Sequence, residues 1–195
     1  MAAGHQTRYA CGYLMQHTAM AHWVLATLTH LIQIAAPLVH HYGLWGLVGV
    51  LFAENIGVIF APGEAMVVAA GFLAAKGFFG IDEVLVLAIL AAITGGYAAY
   101  ALGTRLGHAH LVRHGKYLSI TPRMIERVHD MLRRFGAPIL ILGRFIVPLR
   151  QLQGYLAGSA EMGFRPYALW STVGAALWVI TWGGGAWWLA QSIPG

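Results

Sequence analysis

The run Ala137-Pro-Ile-Leu-Ile-Leu-Gly-Arg144-Phe-Ile-Val-Pro148-Leu-Arg150 places two arginines and a proline in a segment where nearly every other residue is apolar. A charge at the centre of a bilayer costs about 2.5 kcal/mol or more, so it persists only with a partner or a wet cavity. The proline removes a backbone donor and breaks helical regularity, which lipid does not tolerate unless protein or water satisfies the freed groups. Charge, helix break and apolar context together constrain the chain to a membrane fold with an internal polar site. Composition agrees: 58% of the 195 residues are hydrophobic and 10% charged, with a mean hydropathy of +0.66. A soluble domain carries about 25% charged residues.

A crossing helix needs about 20 mainly apolar residues. Residues 21–39, 84–106 and 167–190 meet this condition, the first despite His22, His30 and Gln33. Two other apolar stretches are interrupted. Residues 42–79 contain Glu54, Pro62, Gly63 and Glu64, and residues 137–164 contain Arg144, Pro148, Arg150 and Gln151. Each half is about 12 to 18 residues, too short for a bilayer core about 30 Å thick. Paired short helices joined at a polar break suit a re-entrant hairpin; for the first stretch, two tilted crossings are the alternative.

The interrupted stretches resemble each other. Pro62-Gly-Glu64 leads to Gly71-Phe-Leu-Ala74 and Gly77-Phe78, then a long apolar helix. Pro148-Leu-Arg150 leads to Gly154-Tyr-Leu-Ala157 and Gly163-Phe164, then another. With one crossing between them, two hairpins would enter from opposite faces, the inverted-repeat plan of many transporters. The expected fold is therefore all-α and polytopic, with inverted repeats. Residues 1–20 form a tail and residues 21–195 one transmembrane domain. The tail lacks a continuous apolar core, makes a poor signal peptide and is expected to be loosely ordered and retained.

Seven of the twelve Lys and Arg residues lie between Arg105 and Arg134. Between apolar segments such a stripe reads as a cytoplasmic loop, residues 107–136, and not as a nucleic-acid surface. Thr121-Pro122 provides a helix start, followed by Met124, Val128, Met131, Leu132 and Phe135 at helical spacing with arginines interleaved. That pattern fits an amphipathic helix on the membrane surface. The N-terminus is then inside and the C-terminus outside.

Opposite charges deep in a membrane are expected to pair. Two hairpin tips meeting near the midplane would bring Glu54 and Glu64 to Arg144 and Arg150, either to lock the hairpins or to form a transport site. A desolvated carboxylate can titrate near neutral pH whereas arginine stays charged, so the glutamates are the candidate proton carriers. Lys76, Asp82, Glu83, Glu161 and Arg165 read as segment boundaries. Trp170, Trp178, Trp182, Trp187 and Trp188 read as packing and interface anchors, and Gly183-Gly-Gly185 as a kink or close-packing point. The histidines, including the pairs His40-His41 and His108/His110, lack a convincing set of companion ligands, so no metal and no cofactor is expected. His22 and His30, about two turns apart, could join a proton path. Ser159, Ser171 and Thr172 have no evident base nearby, which places an enzyme behind a transporter. Cys11 is the sole cysteine and excludes an intrachain disulfide.

These residues resemble the DedA family, bacterial membrane proteins carrying the VTT (SNARE-associated Golgi protein) domain, over residues 47–178. Glu54-Asn-Ile-Gly and Ala61-Pro-Gly-Glu64 are similar to its acidic motif. Gly143-Arg-Phe-Ile-Val-Pro-Leu-Arg150, with Gly154, Ala157-Gly158, Met162 and Phe164, is similar to its G-R-F-x-P-x-x-R and A-G-x-x-x-M signature, and Tyr100-Ala-Leu-Gly103-Thr-Arg105-Leu-Gly107 to the segment after its middle helix. This chain has Gly95-Gly96 where the family often has Gly-Asp, and Val58-Ile-Phe60 where a further proline is common. Pro148 also comes one residue later than in the family pattern. The resemblance implies a multi-pass inner-membrane protein with two facing hairpins. It also implies movement of lipids between leaflets, undecaprenyl phosphate among them, with dependence on the proton motive force.

The function expected is transport of an anionic lipid, a polyprenyl phosphate or a phospholipid, by flipping or scrambling, and not an enzymatic reaction. Arg144 and Arg150 would bind the phosphate, and Glu54 and Glu64 would couple protons. Nucleic acid is not an expected partner, and the oligomeric state is left open. The alternative is a proton-coupled antiporter of small cations using the same carboxylates.

Overall fold

The computed structural model describes residues 42–57, 62–114, 122–135 and 138–192, and these are helical with no strand. The expected tail and the first expected crossing, residues 21–39, lie outside the described residues, as do His5, His17, His22, His30, His40 and His41. The helices are α1 Leu44–Asn55, α2 Gly63–Ala75, α3 Ile81–His114, α4 Pro122–Phe135, α5 Ile139–Gly143, α6 Val147–Ser159 and α7 Phe164–Val179. A π-helical segment, Ile180–Gly184, joins α7 to α8, Gly185–Ser192.

Two helices are long and apolar enough to cross a bilayer, Ile81–Leu106 of 26 residues and Phe164–Ser192 of 29 residues. At about 1.5 Å per residue both exceed a core about 30 Å thick. They coincide with the expected crossings 84–106 and 167–190. Their outer faces are apolar: Val86 and Leu90, Leu102 and Leu106, and Leu169, Val173 and Leu177 recur at helical spacing and are exposed. An apolar surface this continuous belongs against lipid.

The first interrupted stretch resolves into two short helices, α1 and α2, which pack on each other. Lys76 caps the end of α2, and Asp82 and Glu83 occupy the first turn of α3, as expected of boundary residues near a positive helix end. In the second stretch the limbs are unequal. α5 has only 5 residues against 13 in α6, so the expectation of halves at least twelve residues long is corrected here. The physical reason lies upstream: Pro138 sits at the N-cap of α5, and the amphipathic helix α4 already ends at Phe135. α4 itself begins at Pro122, with Arg123, Arg127 and Arg134 exposed.

The helix break lies between the two arginines. Arg144 and Phe145 form a turn, Ile146 is extended at φ −107° and ψ 110°, and α6 starts at Val147 with Pro148 as its second residue. There a proline's missing donor leaves nothing unsatisfied. α2 and α6 are both 13 residues long and each follows a break and precedes a turn and a long helix.

α6 packs most extensively on α3, through glycine. A Cβ at Gly158 would stand 2.3 Å from the Tyr100 carbonyl oxygen, and one at Gly154 would stand 2.7 Å from Ala99 Cβ. Gly154 and Gly158 form a G-x-x-x-G pair, the spacing that lets two helix backbones approach in a membrane. Two buried clusters flank the middle of the molecule. One holds Leu47, Leu51, Met66, Val67, Val84 and Trp178; the other holds Tyr100, Leu140, Ala157 and Tyr167. The Gly183 carbonyl lies where a Cβ at Gly71 would come within 2.3 Å, which accounts for the small residues at both places.

Candidate functional site

Three helix ends meet at Arg150. Glu54 comes from the last turn of α1, Glu64 from the first turn of α2 and Arg150 from the first turn of α6. Arg150 Nη2 donates to Glu54 Oε1 at 2.6 Å, and Arg150 Nη1 donates to Glu64 Oε1 at 2.9 Å. One guanidinium fork thus grips two carboxylates, a charge-assisted arrangement that suits arginine geometry. Its flat face lies over the Trp178 ring, 4.3 Å from the centroid, adding a cation–π contact.

The two carboxylates are not equivalent. Glu54 is 2% exposed and Arg150 3%, whereas the Glu64 side chain is 42% exposed. Glu54 is a resident counter-ion; Glu64 stands at the mouth of the site. Gly63 accounts for the depth of Glu54, because a Cβ there would fall 1.7 Å from Glu54 Oε2. Gly57, at φ 106°, turns the chain out of α1 in a conformation that favours glycine, and the Tyr155 hydroxyl of α6 donates to the Ile56 carbonyl at 2.6 Å. The end of α1 is thereby tied to the helix that carries Arg150.

Arg144 departs from the expected pairing. It is fully buried, yet no carboxylate lies within ion-pair distance of it among the described residues. Its Nη2 donates to Asn55 Oδ1 at 3.5 Å and to the Ala92 carbonyl at 3.4 Å. The Gln153 amide, oriented to satisfy both neighbours, accepts from Arg144 Nε at 3.2 Å and donates to the Leu140 carbonyl at 3.2 Å. The reason for the asymmetry is the break at Phe145 and Ile146. It sends Arg150 towards α1 and α2, while Arg144 stays at the end of α5 beneath α3 and α7. Both glutamates therefore serve one arginine.

Space for Arg144 is made by glycines on the flanking helices. A Cβ at Gly174 would stand 3.4 Å from Arg144 Cδ, and one at Gly96 would stand 3.6 Å from Arg144 Nη2. Tyr167 donates to the Gly96 carbonyl at 2.9 Å, closing this side. Several buried polar atoms in and beside the site make no hydrogen bond: Glu54 Oε2, Arg144 Nη1, Arg150 Nε, Ser171 Oγ and Trp178 Nε1. Buried polar atoms are normally partnered, so a group of exceptions in one region makes it the candidate functional centre.

Of the four charged residues expected at the site, the structure brings Glu54, Glu64 and Arg150 together and sets Arg144 apart among neutral groups, which were not foreseen. Trp178 was expected as a packing or interface anchor; it is buried and its ring supports Arg150. Trp182 and Trp188 are exposed, in keeping with anchors. Asn55 and Gln153 carry a readable signal, an amide side chain in an apolar stretch beside a charge. Gly96 carries none, since only the packing of α3 over the end of α5 brings it to Arg144. Among the described residues, no group of three or more His, Cys, Asp or Glu converges as metal ligands would.

The VTT domain matches residues 61–185, which include Glu64, Arg144 and Arg150. Protein DedA of Escherichia coli (strain K12) is 27% identical over 168 residues, covering 83% of this chain and 76% of the relative. Inner membrane protein YqjA of the same organism is 31% identical over 134 residues, covering 67% of this chain and 60% of the relative. The membrane protein YbfM of Bacillus subtilis (strain 168) is 22% identical over 147 residues, covering 75% and 90%. No solved structure matches the chain. The apolar crossing helices, the buried charges at a helix break and these matches agree: the chain is a membrane protein and belongs to the VTT-domain, or DedA, family.

Proposed function

We propose that the protein is a multi-pass inner-membrane transporter that moves an anionic lipid, a polyprenyl phosphate or a phospholipid, between leaflets. The observation that carries this reading is the set of unpartnered buried polar atoms around two guanidinium groups inside an apolar fold. A membrane protein keeps such groups where a polar guest passes. Arginine is the side chain suited to phosphate, because its fork contacts two oxygens at once.

The surroundings of the break support a lipid as the guest. Leu142, Phe145, Ile146 and Val147 are exposed on the outside of the segment whose inner side carries Arg144. A headgroup at the arginines would leave its tail along these apolar side chains, in the bilayer. Glu64, half-exposed at the mouth, is the carboxylate that an arriving phosphate would displace from Arg150, and a proton taken up there would compensate the charge. α1 with α2, and α5 with α6, would then act as facing re-entrant hairpins of an inverted repeat. In this arrangement α4 lies on the cytoplasmic surface.

Reconstitution tests the reading. Purified protein in proteoliposomes should move a labelled polyprenyl phosphate or phospholipid faster than protein-free vesicles, and Arg150→Gln should abolish the excess. Vesicles that flip no lipid but dissipate a pH gradient when small cations are added would replace this reading with a proton-coupled antiporter working through Glu54 and Glu64.

A further inference from the structure

The π-helical turn Ile180–Gly184 and its glycines take no direct part in the charge cluster, yet they fix what the cluster rests on. From α7 through α8 the inward-facing residues are Ser171, Ala175, Val179, Gly183, Trp187 and Ala190. Five regular α-turns take about 18 residues, and this run is one residue longer. The surplus is taken up where the helix widens to π. Single π turns of this kind occur frequently at functional sites.

A close contact lies on each side of the widened turn. Towards the C-terminus, Gly183 meets α2: a Cβ at Gly71 would stand 2.3 Å from the Gly183 carbonyl oxygen, and a Cβ at Gly183 would stand 3.2 Å from Val67 Cγ1. Towards the N-terminus, the Trp178 ring lies over Arg150, its centroid 4.3 Å from the guanidinium carbon. A regular helix held to α2 at Gly183 would carry Trp178 about 100° round the axis and off Arg150. The helix thus departs from α geometry at the place that preserves both contacts.

Trp178 is 1% exposed, and its Nε1 makes no hydrogen bond among the described residues. No polar anchor holds the indole there; its ring meets Arg150 and the apolar side chains of the core. Arg150 has its Nη nitrogens on Glu54 and Glu64 and one face on this ring. The ring closes that face to an incoming anion and holds the guanidinium in one plane. A phosphate then has to meet the group edge-on, at the nitrogen that half-exposed Glu64 now holds.

We propose that Trp178 is a positioning residue for Arg150, whose ring fixes the guanidinium plane so that a lipid phosphate is received at the edge of the fork. This deepens the anionic-lipid reading and rests on it.

The experiment is transport of labelled phosphatidic acid in proteoliposomes, at several lipid mole fractions and equal amounts of monodisperse protein. Trp178→Leu removes the ring and should raise the apparent KM about tenfold or more while leaving the maximal rate within about threefold, the pattern of lost binding. An unchanged KM overturns the proposal. Trp178→Phe keeps an aromatic face that holds a cation less well, loses no hydrogen bond, and should raise the KM by only about threefold. It keeps the test open if Trp178→Leu does not fold, and a wild-type KM in this variant is again contrary. The decisive comparison is Trp178→Leu placed on Arg150→Lys. A residue acting through the Arg150 fork adds no more than about twofold to the loss of Arg150→Lys alone, whereas one that only packs multiplies it; multiplied losses overturn the proposal. Transport that requires Arg150 but ignores both Trp178 variants sinks the positioning role and leaves the anionic-lipid reading standing. Transport absent from the wild type sinks that reading, and the positioning role with it.

Discussion

Replacing each arginine by methionine separates their roles. In Arg150→Met, Glu54 stays behind at 2% exposure, with Gln151 Nε2 at 3.5 Å as its remaining donor. Breaking a buried pair from one side costs about 3–5 kcal/mol, because a charge is left uncompensated. Loss of the cation–π contact with Trp178 adds about 0.5–2 kcal/mol. At about 2–4 °C per kcal/mol for a chain of this size, the unfolding midpoint should fall by roughly 7–28 °C. Arg144→Met leaves no charge behind. Its former partners are neutral and already engaged, since Asn55 also donates to the Leu51 carbonyl at 2.8 Å. Leaving an acceptor unpaired costs about 1–3 kcal/mol, and removal of a desolvated cation offsets this by an amount of the same order. The midpoint of Arg144→Met should therefore stay within a few degrees of wild type or rise. The assay is thermal unfolding in detergent at one scan rate, with Arg150→Met/Glu54→Gln as the rescue, which should recover much of the loss. Equal losses in the two single variants, with no rescue, would refute the charge assignment.

Other consequences follow from the same geometry. Gly63→Ala puts a methyl 1.7 Å from Glu54 Oε2, so the carboxylate must shift and its geometry with Arg150 is disturbed, and transport should fall by at least tenfold in a reconstituted assay. Glu64→Gln removes a half-exposed partner and should change stability by only about 1 kcal/mol or less, while lowering transport; Glu54→Gln should cost more in the unfolding assay, because its pair is buried. Gly158→Val would drive a side chain into the Tyr100 carbonyl, 2.3 Å from its Cβ, and separate α3 from α6; expression and monodispersity on gel filtration should collapse.

The crossings within the described residues were legible because an apolar run of sufficient length has few alternatives in a bilayer. The helix breaks were legible for the same reason, since a proline and a charge cannot sit unnoticed in such a run. The pairing was not. Two acids were expected to meet two bases, but which arginine meets which glutamate depends on how α6 is aimed after Ile146. Six residues of helix without a break would have left Arg144 and Arg150 on different faces in another way. The depth of Glu54 depends on Gly63, a residue that reads in sequence only as part of a turn. Trp178 read as an anchor because nothing local to it is charged; its neighbour in space is 28 residues away in the chain.

On the proposed function, the buried arginines receive a lipid phosphate. The most direct test is transport of a labelled polyprenyl phosphate into the opposite leaflet of proteoliposomes, wild type against Arg144→Lys and Arg150→Lys, at equal protein content. Lysine keeps the charge and loses the fork. The wild type should transport the lipid above protein-free vesicles, and both variants should lose at least tenfold. Undiminished transport in both would contradict that function.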